Sequence, residues 1–188
     1  MIKKNRLILG ISGKIGSGKD TVAYYLQDKF PEHNFLRRAY AFNVKKTVAL
    51  LTGVDMATIL TREGKQIYVP SFDKTIGQML QVVGDNMRTI DGKCWIKSLF
   101  NREDKDTNLI ITDVRYINEA DDIKERGGVL IKVTGDPIGA NRNDTRNKIH
   151  ISETELDDYD KWDIVFENKP PIENIYKLIN ILKQKYNF

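Results

Sequence analysis

A single cysteine, Cys94, stands in the 188 residues, so no disulfide can close within the chain. That favours a reducing compartment. Long apolar runs are missing too, and no stretch approaches the roughly 18 residues needed to span a bilayer as a helix. The opening MIKKNRLILGISG sets basic residues before an apolar run, as a secretory leader does. The run is short and passes straight into glycines, so it reads as a buried strand, and a cytoplasmic location is expected. Repeats, low-complexity tracts and linkers are absent. Charge of one sign is scarce: 30 basic residues face 26 acidic ones, a net +4, and the basic residues are scattered. A chain built for long nucleic acid would carry a clustered basic face. A small anionic substrate is the better match, with no membrane and no long nucleic acid as partners. The N-K-x-D signature of a GTPase-type switch is also absent.

What is present is the balance of one globular domain, 40% hydrophobic and 30% charged. Short apolar runs alternate with amphipathic stretches. Strands are expected over 6–12, 36–40, 109–114, 129–134 and 163–167. Helices are expected over 19–30, 44–51, 75–88, 92–100, 118–126 and 172–186, where apolar residues recur at three- and four-residue spacing or follow a helix-start signal. The run LIITDV, Leu109–Val114, is apolar almost throughout, as a strand covered on both faces is. Residues 135–152 are polar and read as a loop or flap. Strands alternating with helices imply an α/β fold, a central parallel sheet flanked by helices on both faces.

The sharpest local pattern is GKIGSGKDT, Gly13–Thr21, which gives G-x-x-x-x-G-K directly after a strand and before a helix. Glycines let the backbone wrap a phosphate with its N–H groups turned inward. The helix N-terminus adds partial positive charge. Gly13, Lys14, Gly16, Ser17, Gly18, Lys19, Asp20 and Thr21 are the candidate cradle for ATP, with Lys19 reaching the β- and γ-phosphates. Asp20 stands where a hydroxyl ordinarily holds magnesium. It either binds Mg²⁺, directly or through water, or simply favours the positive helix end.

Asp113 closes LIITDV at the carboxyl edge of a central strand, where open α/β sheets place their ligands. It is a second candidate for Mg²⁺ or for orienting an attacking oxygen, and alternatively a cap of the next element. Arg115 reaches either phosphate or a surface acid. Arg142, Arg146 and Lys148 lie in the polar stretch, where a closing loop would neutralise a transferring phosphoryl group. His150 beside them reads as structural. Arg37, Arg38, Lys45, Arg62 and Arg88 fall where an acceptor phosphate would need two or three cations.

Together these blocks resemble the deoxynucleoside monophosphate kinases of large bacteriophages and related viral enzymes. SGKIGSGKDTVA has that family's GKDT ending, with Asp in place of the usual hydroxyl. AYAFNVKK matches at Asn43 and Lys45 or Lys46. LQVVGDNMR and CWIKSL match at Gln81, Gly84, Arg88, Trp95 and Ile96. ITDVRYINEADDIKERGG matches at Asp113, Arg115, Asn118 and Glu119, followed by HISETELD and FEN.

The resemblance implies a P-loop kinase of one domain, residues 1–188. It would have an acceptor-binding region over about 37–100 and a lid over about 135–152. The implied reaction is transfer of the ATP γ-phosphoryl to a deoxynucleoside 5′-monophosphate, with Mg²⁺. The implied roles are catalytic for Lys19, Asp113, Arg142 and Arg146, and substrate-binding for Lys45, Gln81, Arg88 and Arg115. Asp20 and Asp113 would serve the metal, and a homodimer is compatible with the pattern. Animal phosphomevalonate kinases share a similar GKD loop, so another small acceptor stays open, as does a polynucleotide 5′-kinase or nucleic-acid-stimulated ATPase.

Overall fold

The computed structural model describes residues 6–137, 151–171 and 174–186. The chain divides into two compact units, Met1–Ala39 with Asp104–Phe188, and Tyr40–Glu103.

The first unit is built on β1 (Ile8–Ser12), β2 (Leu36–Arg38), β5 (Leu109–Ile111), β6 (Val129–Thr134) and β7 (Ile164–Glu167). They form one sheet in the order β2-β5-β1-β6-β7. Every neighbouring pair is parallel, with Ile8 opposite Leu109, Ser12 opposite Lys132 and Thr134 opposite Glu167. All five residues of β1 and all three of β5 are buried, as central strands covered on both faces must be.

Alternation along the strands sorts the two faces. Leu9, Ile11, Val129, Ile131 and Val133 join Val22, Ala23 and Leu26 of α1 (Lys19–Lys29) and Leu178, Ile179 and Leu182 of α8 (Ile175–Tyr186) in one apolar core. The opposite face meets α6 (Ile117–Glu125) through Gly10, where a Cβ would lie 2.6 Å from Ile123 Cδ1. A side chain there would force Ile123 and Leu130 to shift. The α/β fold with a parallel sheet and helices on both faces is therefore present.

The second unit holds α2 (Ala41–Thr52), α3 (Met56–Leu60), the two-residue strands β3 (Tyr68–Val69) and β4 (Lys74–Thr75), α4 (Ile76–Ile90) and α5 (Cys94–Phe100). Val48, Ile59, Val69, Ile76 and Met79 form its core. Thr75 caps α4, its hydroxyl accepting from Gln78 N at 3.2 Å while Gln78 Oε1 accepts from Thr75 N at 2.8 Å.

Sequence and structure differ in several places. Strand 36–40 stops at Arg38 because Tyr40 already caps α2, and 109–114 stops at Ile111. Ile151 and Ser152, expected in the polar loop, open the helical turn α7 (Ile151–Thr154). Residues 53–74, for which no element is expected, supply α3 and most of the β3–β4 hairpin. Among the described residues, no helix is long and apolar enough to cross a membrane.

Candidate active site

The glycine loop follows from how β1 ends. After Ser12 the chain turns through Gly16 and Gly18, at φ 81° and 77°, a left-handed backbone that glycine adopts without strain. The Ser17 N–H donates to the Lys14 carbonyl at 3.2 Å, and the Val22 N–H donates to Gly18 at 3.0 Å to start α1. Among the described residues no side chain caps the helix, which leaves its first N–H groups for whatever occupies the loop. The Ser17 hydroxyl is buried with no hydrogen-bond partner among the described residues. A buried hydroxyl without a partner is costly, and beside an uncapped helix N-terminus it fits a loop made for an anion. These features suit the phosphates of ATP.

Asn168, just after β7, braces the loop from behind. Its Nδ2 donates to the Ser17 carbonyl at 2.8 Å. A Cβ on Gly18 would come within 2.3 Å of that nitrogen, so glycine is required twice over, for conformation and for space.

Lys19 opens α1 in a half-buried setting. Its pKa lies below the ordinary lysine value, first because burial disfavours the ammonium and then because Arg115 repels it; Asp20, Glu153 and Asp113 oppose the shift. Five charged groups thus share one region, two cationic and three anionic. For Arg115 burial also works against the charge, but Glu153, Asp113 and Glu119 outweigh it and raise its pKa. Arg115 N donates to Glu119 Oε2 at 2.9 Å, fixing the backbone as it enters α6. Its guanidinium is bound by Glu153, a half-buried acid on α7. The choice between phosphate and a surface acid therefore takes a third form, because the acid is internal.

Lys14 turns away to a different set of partners, the Asp157 carboxylate and the Glu153 carbonyl. A cavity of about 190 Å³ adjoins the loop, lined by Ser12, Ser17, Arg115, Lys132, Glu153 and Trp162 among others.

The two metal candidates occupy the same unit. Asp20 is exposed in the first turn of α1, and Asp113 is half-buried two residues beyond β5. No group of three or more His, Cys, Asp or Glu that could hold a metal occurs among the described residues. Two separate carboxylates are nevertheless the donor set suited to Mg²⁺, which keeps water and takes substrate phosphate oxygens instead of an all-protein cage. Thr21 is exposed on α1.

Arg37 lies over the Tyr24 ring at 5.7 Å, and Arg38 donates to the Arg37 carbonyl at 3.1 Å. In the second unit, Lys45 is half-buried on α2, while Gln81 is exposed on α4 and Arg62 is exposed ahead of the hairpin. Arg88 Nη1 and Trp95 Nε1 both donate to the Gly84 carbonyl at 3.0 Å, which brings three residues of the GDNMR and CWIKSL blocks together. Asn43 donates to Ser98 Oγ at 2.9 Å, joining α2 to α5. Arg142, Arg146, Lys148 and His150 lie outside the described residues.

Two residues with evident roles at the loop, Asn168 and Glu153, were not among the sequence candidates. Their signals, FEN and HISETELD, are visible but have no local chemical pattern that assigns a role.

No family model matches the chain. It is 34% identical over 193 residues, 92% of this chain and 94% of the relative, to a protein of Acanthamoeba polyphaga mimivirus that bears, provisionally, the name deoxynucleotide monophosphate kinase. Among solved structures, shikimate kinase from Aquifex aeolicus vf5 is similar with a TM-score of 0.49 and 16% identity, over 95% of this chain and 98% of that one. Shikimate kinase from Acinetobacter baumannii in complex with shikimate gives 0.47 and 16%, over 97% and 96%. At that distance nothing about the substrate follows from these two.

Proposed function

The chain belongs to the deoxynucleotide monophosphate kinase family of its mimivirus relative, and from that premise we propose that it transfers the γ-phosphoryl of ATP to a deoxynucleoside 5′-monophosphate. It is a P-loop kinase, a phosphotransferase of the nucleoside monophosphate kinase type. The observation that carries the reading is the glycine loop ending in Lys19 at the N-terminus of α1, with the buried Ser17 hydroxyl beside it.

Phosphoryl transfer needs little covalent help, and most of the barrier falls through positioning and charge stabilisation. The loop N–H groups and Lys19 hold the donor phosphates. Arg115 directs a planar fork of donors at the same region, suited to two oxygens of one phosphoryl group. Asp20 or Asp113, with water, would hold magnesium, which would supply positive charge to offset that of the phosphates. An acceptor phosphate oxygen is already ionised, so no general base is required. Lys45, Arg88 and Gln81 are the residues we assign to the acceptor, and Arg142 and Arg146 to the transferred group, both on the sequence pattern.

The test is ADP release with Mg-ATP against a panel of deoxynucleoside and ribonucleoside monophosphates, phosphomevalonate and a 5′-hydroxyl oligonucleotide. Turnover with one or more deoxynucleoside monophosphates supports the reading. Turnover confined to phosphomevalonate or the oligonucleotide overturns the acceptor while leaving the phosphate-loop chemistry.

A further inference from the structure

The glycine-loop pattern accounts for Lys19 but not for the acid that holds Arg115. Glu153 lies 38 residues beyond it, and its Oε1 accepts from Arg115 Nη1. The same nitrogen donates to the Ser152 carbonyl at 3.4 Å. The two side chains are 13% and 27% exposed, so this is not a solvated surface pair. Losing one partner of such a pair leaves the other charge uncompensated.

Two features distinguish the contact from mere fastening of α7. Both side-chain bonds of Arg115 seen among the described residues use Nη1. The carboxylate therefore grips one tip of the guanidinium and leaves Nε and Nη2 for a second acceptor, which a planar five-donor fork permits. The same turn also anchors the loop itself, because Lys14 donates to the Glu153 carbonyl and pairs with Asp157. One short segment thus fixes both a loop lysine and Arg115.

We infer that Glu153 is a positioning residue for phosphoryl transfer, acting through Arg115 by holding its guanidinium beside Lys19 with one edge presented to phosphate oxygens. The inference rests on the phosphoryl-transfer reading above. Glu153 removes no proton and forms no bond to substrate; its contribution is the placement of a charge that would otherwise swing on a flexible side chain.

The experiment compares wild type, Glu153→Gln, Glu153→Asp, Arg115→Ala and the Arg115→Ala/Glu153→Gln double variant in steady-state kinetics. Glu153→Gln is expected to lower kcat about 10- to 100-fold with KM for ATP within about threefold, the mark of lost alignment. Glu153→Asp recovers part of that loss. In the Arg115→Ala background, Glu153→Gln changes kcat by less than about twofold, because the group it acts through is gone. Additive losses in the double variant would overturn the inference, as would a fall in Tm with kcat intact. Should Glu153→Gln not fold, Glu153→Asp in both backgrounds gives the same comparison.

Should no acceptor be turned over, the same cycle is read on ADP affinity by calorimetry. A change of about threefold or more in wild type that vanishes in Arg115→Ala upholds the inference, and equal changes in both backgrounds overturn it. Failure of the acceptor assignment is thereby kept apart from failure of the role given to Glu153.

Discussion

The Asn168 side-chain amide donates to the Ser17 carbonyl at 2.8 Å, tying the end of the last strand to the phosphate loop across 151 residues of sequence. The amide is buried and the carbonyl belongs to the turn that presents the loop N–H groups. A loop of glycines has little intrinsic preference for one shape. Asn168 supplies the constraint that its own residues do not.

Asn168→Ala removes that donor and leaves a buried carbonyl without its partner, at a cost of about 1–3 kcal/mol. Thermal denaturation should show a lower Tm. KM for ATP should rise more than kcat falls, because what is lost is the preformed cradle. An unchanged KM would mean that the loop keeps its shape unaided.

Gly18→Ala meets two obstacles, the φ of 77° and the 2.3 Å approach to Asn168 Nδ2. Crystallography of the variant should find the turn rebuilt, and ATP turnover should fall by about 10²-fold or more. A variant with wild-type turnover would contradict the account of this position.

The alkaline limb of stability offers a test that does not depend on turnover. Tyr159 has its phenol pKa raised, first by burial and then by its 3.0 Å hydrogen bond to Asp121 Oδ1. A raised folded-state pKa adds stability that is fully present below the unfolded tyrosine value of about 10 and is lost as pH rises through the folded value. Between about pH 7 and 9 the contribution should be constant, and above about pH 10 wild type should lose Tm faster than Tyr159→Phe. Parallel Tm–pH curves for the two proteins would refute it.

What the sequence made readable was what local chemistry dictates. The run Val129–Thr134 begins and ends as a strand where its apolar pattern does, because both faces of a central strand are covered and no tertiary choice remains. The loop Gly13–Lys19 is legible because glycine placement, strand and helix are all local. The hidden parts depend on partners far away. Met56–Leu60 is a short helix capped by Asp55, whose Oδ1 accepts from Thr58 N at 2.9 Å, too brief to show a period. The paired strands of the β3–β4 hairpin are two residues each. Nothing near Arg115 in sequence announces that Glu153 will hold it, or that Asn168 will reach Ser17. Sequence reading can find residues whose role lies in their own turn; roles created by folding wait for the fold.

The central claim is tested most directly by following label from γ-³²P-ATP into a deoxynucleoside monophosphate and separating the products, with wild type and Lys19→Ala run side by side. The account predicts labelled deoxynucleoside diphosphate from wild type. It predicts loss of that product by about 10²-fold or more in a Lys19→Ala protein that retains its fold by circular dichroism. Label transferred equally by both proteins, or found only in inorganic phosphate, would contradict it.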